Sequence, residues 1–294
     1  MKRLVIILIV FILIAGKSFS QNEKKVKILL RFDDIGMCHS VNKALKEIIK
    51  TGLPISVSVM FACPWYQEAV DILKNNPQVS VGVHLTLNAE WKNYRWGPVL
   101  GKTAVPSLVD SLGYFLPSRA TFNANHPSLA DIEKELRAQI ERALNSGLKI
   151  VYLDHHMGTA VDKPEYRKIL EKLAKEYHLG ISQYFNENYS DNMYADKIEN
   201  KADSLYKILN NLNSDKVNLM VSHIGIDNDE LSALIDLNSF GLKNMSKHRQ
   251  AELNAWKSER IQNLLHSGKF TLITYKQLID EVGLQNMKQP EVTK

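Results

Sequence analysis

Two patterns of apolar positions alternate along this chain. Short, nearly continuous runs rich in valine, isoleucine and leucine read as strands over 26–33, 55–60, 79–86, 149–154, 180–184, 217–223 and 270–274. Between them lie segments of helical period. Ser128-Leu129-Ala130-Asp131 has the form of a capping box. Leu129, Ile132, Leu136, Ile140 and Leu144 then fall on one helix face, with Gly147 just past its end. Pro164 starts another helix, striped by Tyr166, Ile169, Leu170 and Leu173, and a longer one over 247–266 carries Leu253, Trp256, Ile261, Leu264 and Leu265. Strand and helix in alternation predict an α/β single domain, a parallel sheet with helical crossovers. Strands apolar on both faces predict a barrel or an incomplete barrel.

Two segments break the alternation. Residues 88–127 hold Trp91, Tyr94, Trp96, Tyr114, Phe115 and Phe122 among glycines and prolines, and residues 184–200 are polar with three tyrosines. Long loops in a compact domain carry function or lack order. The aromatic content of the first argues for order, either as a sugar-binding surface or as a loop's own small core.

Composition narrows the picture little: 294 residues, 45% hydrophobic and 23% charged, is an ordinary globular chain. Part of the formal net charge of +5 lies in Lys2, Arg3 and Lys17, so nucleic acid is not implied. Residues 1–20 have a basic start, an apolar stretch from Leu4 to Ala15 and a small-residue end, the form of a secretory signal peptide. The expectation is export to the periplasm or the extracellular space, a mature chain over 21–294 and no stable membrane span. An uncleaved anchor is the alternative. Cys38 and Cys63 make no disulfide framework and no CxxC pair, and are expected as free, packed thiols rather than a bridge. No GxGxxG or Walker A sequence supports a nucleotide site.

The chemistry lies at the strand ends. Asp33-Asp34 closes the first apolar run, His84 the third, Asp154-His155-His156 the fourth and His223 the sixth. In parallel α/β proteins such ends converge on one face. Adjacent strand residues point to opposite faces, so one of the two aspartates is expected to hold a cation and the other to face a pocket; capping of the next helix is the plainer reading. One carboxylate and two imidazoles make a three-ligand set with open positions, suited to a hydrolytic divalent ion, zinc above magnesium. Asp154 is expected either to orient an imidazole or to cap a helix.

Asp33-Asp34-Ile35-Gly36 with Val41-Asn42, Gly82-Val83-His84, Tyr152-Leu153-Asp154-His155-His156 and Ser222-His223-Ile224-Gly225 resemble, in order over about 26–283, the YdjC-like carbohydrate deacetylases. The resemblance implies a distorted (β/α) TIM-like barrel and metal-dependent removal of acetyl from an N-acetylated sugar or oligosaccharide. It implies Asp34, His84 and His156 as metal ligands, Asp33 as general base and His223 as general acid. Arg249, with Glu252 a turn later, would orient Asp33 or another site carboxylate; a plain surface pair is the competing reading. Tyr152 and His155 stand where the family often has other residues, which leaves open whether His155 or His156 ligates, with His156 at the aligned position. A silent sugar-binding protein and a hydrolase of other esters or phosphates are the alternatives to a deacetylase. The sequence leaves the oligomeric state open.

Overall fold

A computed structural model describes residues 25–190 and 192–290; the leader predicted over 1–20 lies outside them. Among the described residues, eight strands form one sheet: β1 Val26–Ile35, β2 Ser56–Val59, β3 Ser80–Leu85, β4 Ile150–His155, β5 Gly180–Ile181, β6 Asn188–Tyr189, β7 Asn218–Ser222 and β8 Phe270–Ile273. The order is β5-β4-β3-β2-β1-β7-β6, and β8 pairs β1 over Val26–Leu29, below the stretch of β1 that pairs β2 from Arg31 onward. Every pairing is parallel. The chain is therefore α/β with a curled, incomplete barrel, as the apolar runs predicted.

Side-chain alternation sorts two cores. Ile28, Leu30 and Phe32 of β1, Val81, Val83 and Leu85 of β3, Leu153 of β4 and Met220 of β7 pack into the large core that includes the helices. Leu29, Tyr152, Leu219 and Val221 point the other way, into a smaller core inside the curl with Phe185, Ile273 and Tyr275. Continuing along that inner face, period two places Arg31 and Asp33 above Leu29, His84 above Gly82, Asp154 above Tyr152 and His223 above Val221. The inner face thus changes from apolar to ionisable toward the C-terminal strand ends.

Three expectations are corrected. The helix predicted over 247–266 is two, Met245–Lys257 and Glu259–Leu265, because Ser258 is extended (φ −63°, ψ 140°) and interrupts the run. The strand predicted over 180–184 stops at Ile181, since Gln183 has φ +71°. The polar stretch 184–200 contributes β6, two residues that pair with β7 and were invisible as an apolar run. Around Ser128 the side chain accepts from Asp131 N as predicted, while the Asp131 carboxylate turns away to Ser107. Cys38 and Cys63 are free and buried.

Candidate functional site

Asp33 and Asp34 do not point to opposite faces. The β1–β2 register shifts between Phe32 and Ile35, and Asp34 has φ +62°. That left-handed residue breaks the alternation and brings both carboxylates into one cavity of about 570 Å³. Aspartate is among the few side chains that tolerate this conformation.

Asp34 Oδ1 lies 3.3 Å from His84 Nε2 and 3.3 Å from His156 Nδ1, and these donor atoms lie within 4.8 Å of one another. Asp34 Oδ1 is buried and has no hydrogen-bond partner among the described residues. Its other oxygen accepts from Arg249 Nη2 at 2.6 Å. Each imidazole gives its far nitrogen to a carboxylate: His84 Nδ1 to Asp154 Oδ1 at 2.9 Å, and His156 Nε2 to Glu90 Oε2 at 3.0 Å. Such outer carboxylates fix ring orientation and raise ligand basicity. A converging Asp/His/His set with an orphaned acceptor at its centre fits a cation. His156 enters because the chain leaves β4 at His155 and turns through Met157 (φ +52°) and Gly158 (φ +75°). His155 also lines the cavity, with Nδ1 buried and unpartnered among the described residues, but belongs neither to this cluster nor to the second group of close donors there, Asp33, His84 and Asp154.

Electrostatics follow from the same contacts. Burial pushes the Asp34 carboxyl up, but the Arg249 guanidinium and the two imidazoles outweigh it and hold the group well below the usual carboxylate range. Burial disfavours the charged form of His156, yet Glu90 and Asp34 bring it up to about 9. His84 is likewise raised by Asp154 and Asp33 against burial. Burial instead holds His223 below its ordinary range, opposed by Asp34 and Asp33.

Sequence reasoning missed several of these supports. Arg31 grips Asp33 with two parallel bonds, Nε to Oδ1 at 2.7 Å and Nη2 to Oδ2 at 2.8 Å, and its Nε lies 3.2 Å from Asp154 Oδ2. An arginine two residues before Asp33 in a buried strand was the available signal. Glu90 sits in an irregular loop and had none. Arg249 orients Asp34, not Asp33. Glu252 is buried rather than a surface partner of Arg249: it accepts from the His223 backbone N at 2.8 Å and from Lys201 Nζ at 3.2 Å. Lys201 in turn donates to Met193 O and Tyr194 O, and the Tyr194 ring stands edge-on to His223 at 5.3 Å. Asp154 is no helix cap; it holds His84. Of the loop aromatics, Trp91, Trp96, Phe115 and Phe122 are buried, so the small-core reading holds for most, while Trp91 also lines the cavity.

A family model described as YdjC-like protein matches residues 27–267. A carbohydrate deacetylase of Brevibacillus brevis is 26% identical over 268 residues, 86% of this chain and 100% of its own length. One from Oceanobacillus iheyensis is 28% identical over 61% of this chain and 83% of its own length. Among solved structures, a protein of Enterococcus faecalis provisionally described as a cellobiose-phosphate cleavage protein superposes with a TM-score of 0.70 at 21% identity, covering 86% of this chain and 99% of that one.

Proposed function

This chain belongs to the YdjC-like family, and from that premise we propose that it is an exported, metal-dependent enzyme that removes the acetyl group from acetamido sugars. The observation that carries the reading is the meeting of Asp34, His84 and His156 in a cavity that also holds Asp33 and His223. Export rests on the form of residues 1–20.

Asp34 Oδ1, His84 Nε2 and His156 Nδ1 would hold the ion. Two imidazoles beside one carboxylate favour zinc over magnesium, which prefers oxygen ligands. A divalent cation supplies Lewis acidity, polarising a carbonyl oxygen and acidifying water. The protein's own groups divide the remaining work. Asp33, fixed in plane by Arg31, takes the proton of the attacking water. His223 would protonate the departing nitrogen from its imidazolium form, which burial disfavours and the Asp34 and Asp33 carboxylates favour, and return to the neutral imidazole; Glu252 anchors its backbone. Each such transfer contributes roughly 10²- to 10⁴-fold.

The test is acetate release from a panel of acetylated amino sugars by protein lacking the first 20 residues, with chelator, and after zinc is restored. Release that chelation abolishes and zinc returns supports the proposal. No release from any member of the panel with zinc present overturns it.

A further inference from the structure

The cavity has a wall that the metal-side chemistry leaves unused. Residues 90–92 and 235–237 are joined by their backbones: Leu237 N donates to Glu90 O and Lys92 N to Ile235 O, both at 2.8 Å, with Trp91 opposite Asp236 in an antiparallel bridge. Alternation sends neighbours to opposite sides. Asp236 lines the cavity with Trp91, whereas Ile235 and Leu237 are exposed and outside its lining. Trp91 is only 2% exposed, yet its indole Nε1 has no acceptor among the described residues. A buried indole N–H ordinarily finds one. Phe240, on the same segment, lines the cavity while remaining 71% exposed.

We propose that this wall is a sugar-binding subsite, in which Asp236 and Trp91 read hydroxyl groups and Phe240 stacks on a second pyranose ring linked to the one that carries the acetamido group. A carboxylate only accepts and an indole only donates, so the pair suits hydroxyls, which do both. An exposed aromatic face covers the apolar face of a sugar ring and loses its own contact with water in doing so. Glu90, which holds His156, directly precedes Trp91, so the wall begins one residue from the cation cluster. The preferred ligand is therefore an oligosaccharide of at least two rings, and Phe240 sets that preference. The reaction rests on the deacetylase reading; the binding does not.

The experiment compares N-acetylglucosamine with its β-linked disaccharide on the zinc-loaded protein. Phe240→Ala should lower the ratio of kcat/KM for disaccharide over monosaccharide about tenfold, through KM. Asp236→Asn should raise KM for both sugars by a similar factor, about tenfold. Leu237→Ala, on the outer side of the same pairing, should leave the ratio unchanged. A ratio that Phe240→Ala does not move overturns the subsite. Should wild-type protein release no acetate from either sugar, the full panel judges the deacetylase reading, and calorimetric titration with the disaccharide decides the subsite alone. Binding weakened at least about fivefold in Phe240→Ala sustains it, and equal binding overturns it.

Discussion

At the scale of single residues, the site turns on one backbone angle. Were Asp34 an ordinary strand residue, its carboxylate would join Phe32 on the helix-packed face, and the histidines would face Asp33 alone. The positive φ of Asp34 separates the roles of the two acids. Asp33→Asn should therefore lower kcat by roughly 10²- to 10⁴-fold while zinc still raises the thermal midpoint. Asp34→Asn should abolish that zinc-dependent rise, as read by differential scanning fluorimetry with and without chelator. Arg31 is a different case. It is 5% exposed and faces both Asp33 and Asp154, so Arg31→Met strands the buried Asp33 carboxylate and leaves Asp154 with His84 alone. The expected cost is about 3–5 kcal/mol in denaturant unfolding, with the larger-than-usual loss coming from unpaired charge rather than lost packing.

At the scale of elements, the inner face of the sheet tolerates little. A Cβ added at Gly82 would stand 2.4 Å from the Tyr152 ring, which is fully buried and tilted against Tyr275 with centroids 4.1 Å apart. Tyr152 cannot swing away, and Asp154 follows it on the same strand. Gly82→Ala should cost about 1–3 kcal/mol in unfolding free energy and lower activity by disturbing the Asp154–His84 contact, a pair of effects that thermal melts and steady-state rates measure together. The elements also show what a linear pattern carries. Strand ends, and the meeting there of an aspartate with histidines, were legible because burial on both faces leaves an apolar signature that charges interrupt visibly; the choice of Asp34, His84 and His156 came from the family resemblance. The split of the long C-terminal helix was not, since Ser258 has no strong conformational preference of its own. Neither were Glu90, Asp236 and Lys201, polar residues in loops or on a helix whose partners lie far away in sequence; only folding decides what they touch.

At the scale of the whole molecule, the proposed ion binding would be linked to folding. An ion bound only by the folded state adds about 2.7 kcal/mol of stability at 100 times its dissociation constant, so chelation should lower the melting temperature. The thiols supply a pH test. Burial pushes Cys38 up to about 11 and Cys63 well above its ordinary range, so both stay protonated in the fold while the unfolded chain ionises near 9. Their contribution is intact below pH 9 and falls as pH rises toward 11, by about 1.4 kcal/mol per unit for each thiol. The fall in unfolding free energy between pH 9 and 11 should be shallower in Cys38→Ala and Cys63→Ala than in wild type. Both thiols should also resist a thiol reagent until denaturant is added.

One further consequence comes from the helix Met245–Lys257. Arg249 reaches Asp34 and Glu252 reaches the backbone of His223 from neighbouring turns of that same rod, and Trp256 ties it to Ser222 of β7. In the proposed reaction the two halves would share a common shaft: any twist or slide of it would detune cation affinity and proton delivery in concert, and selection acting on either would find the other moving with it.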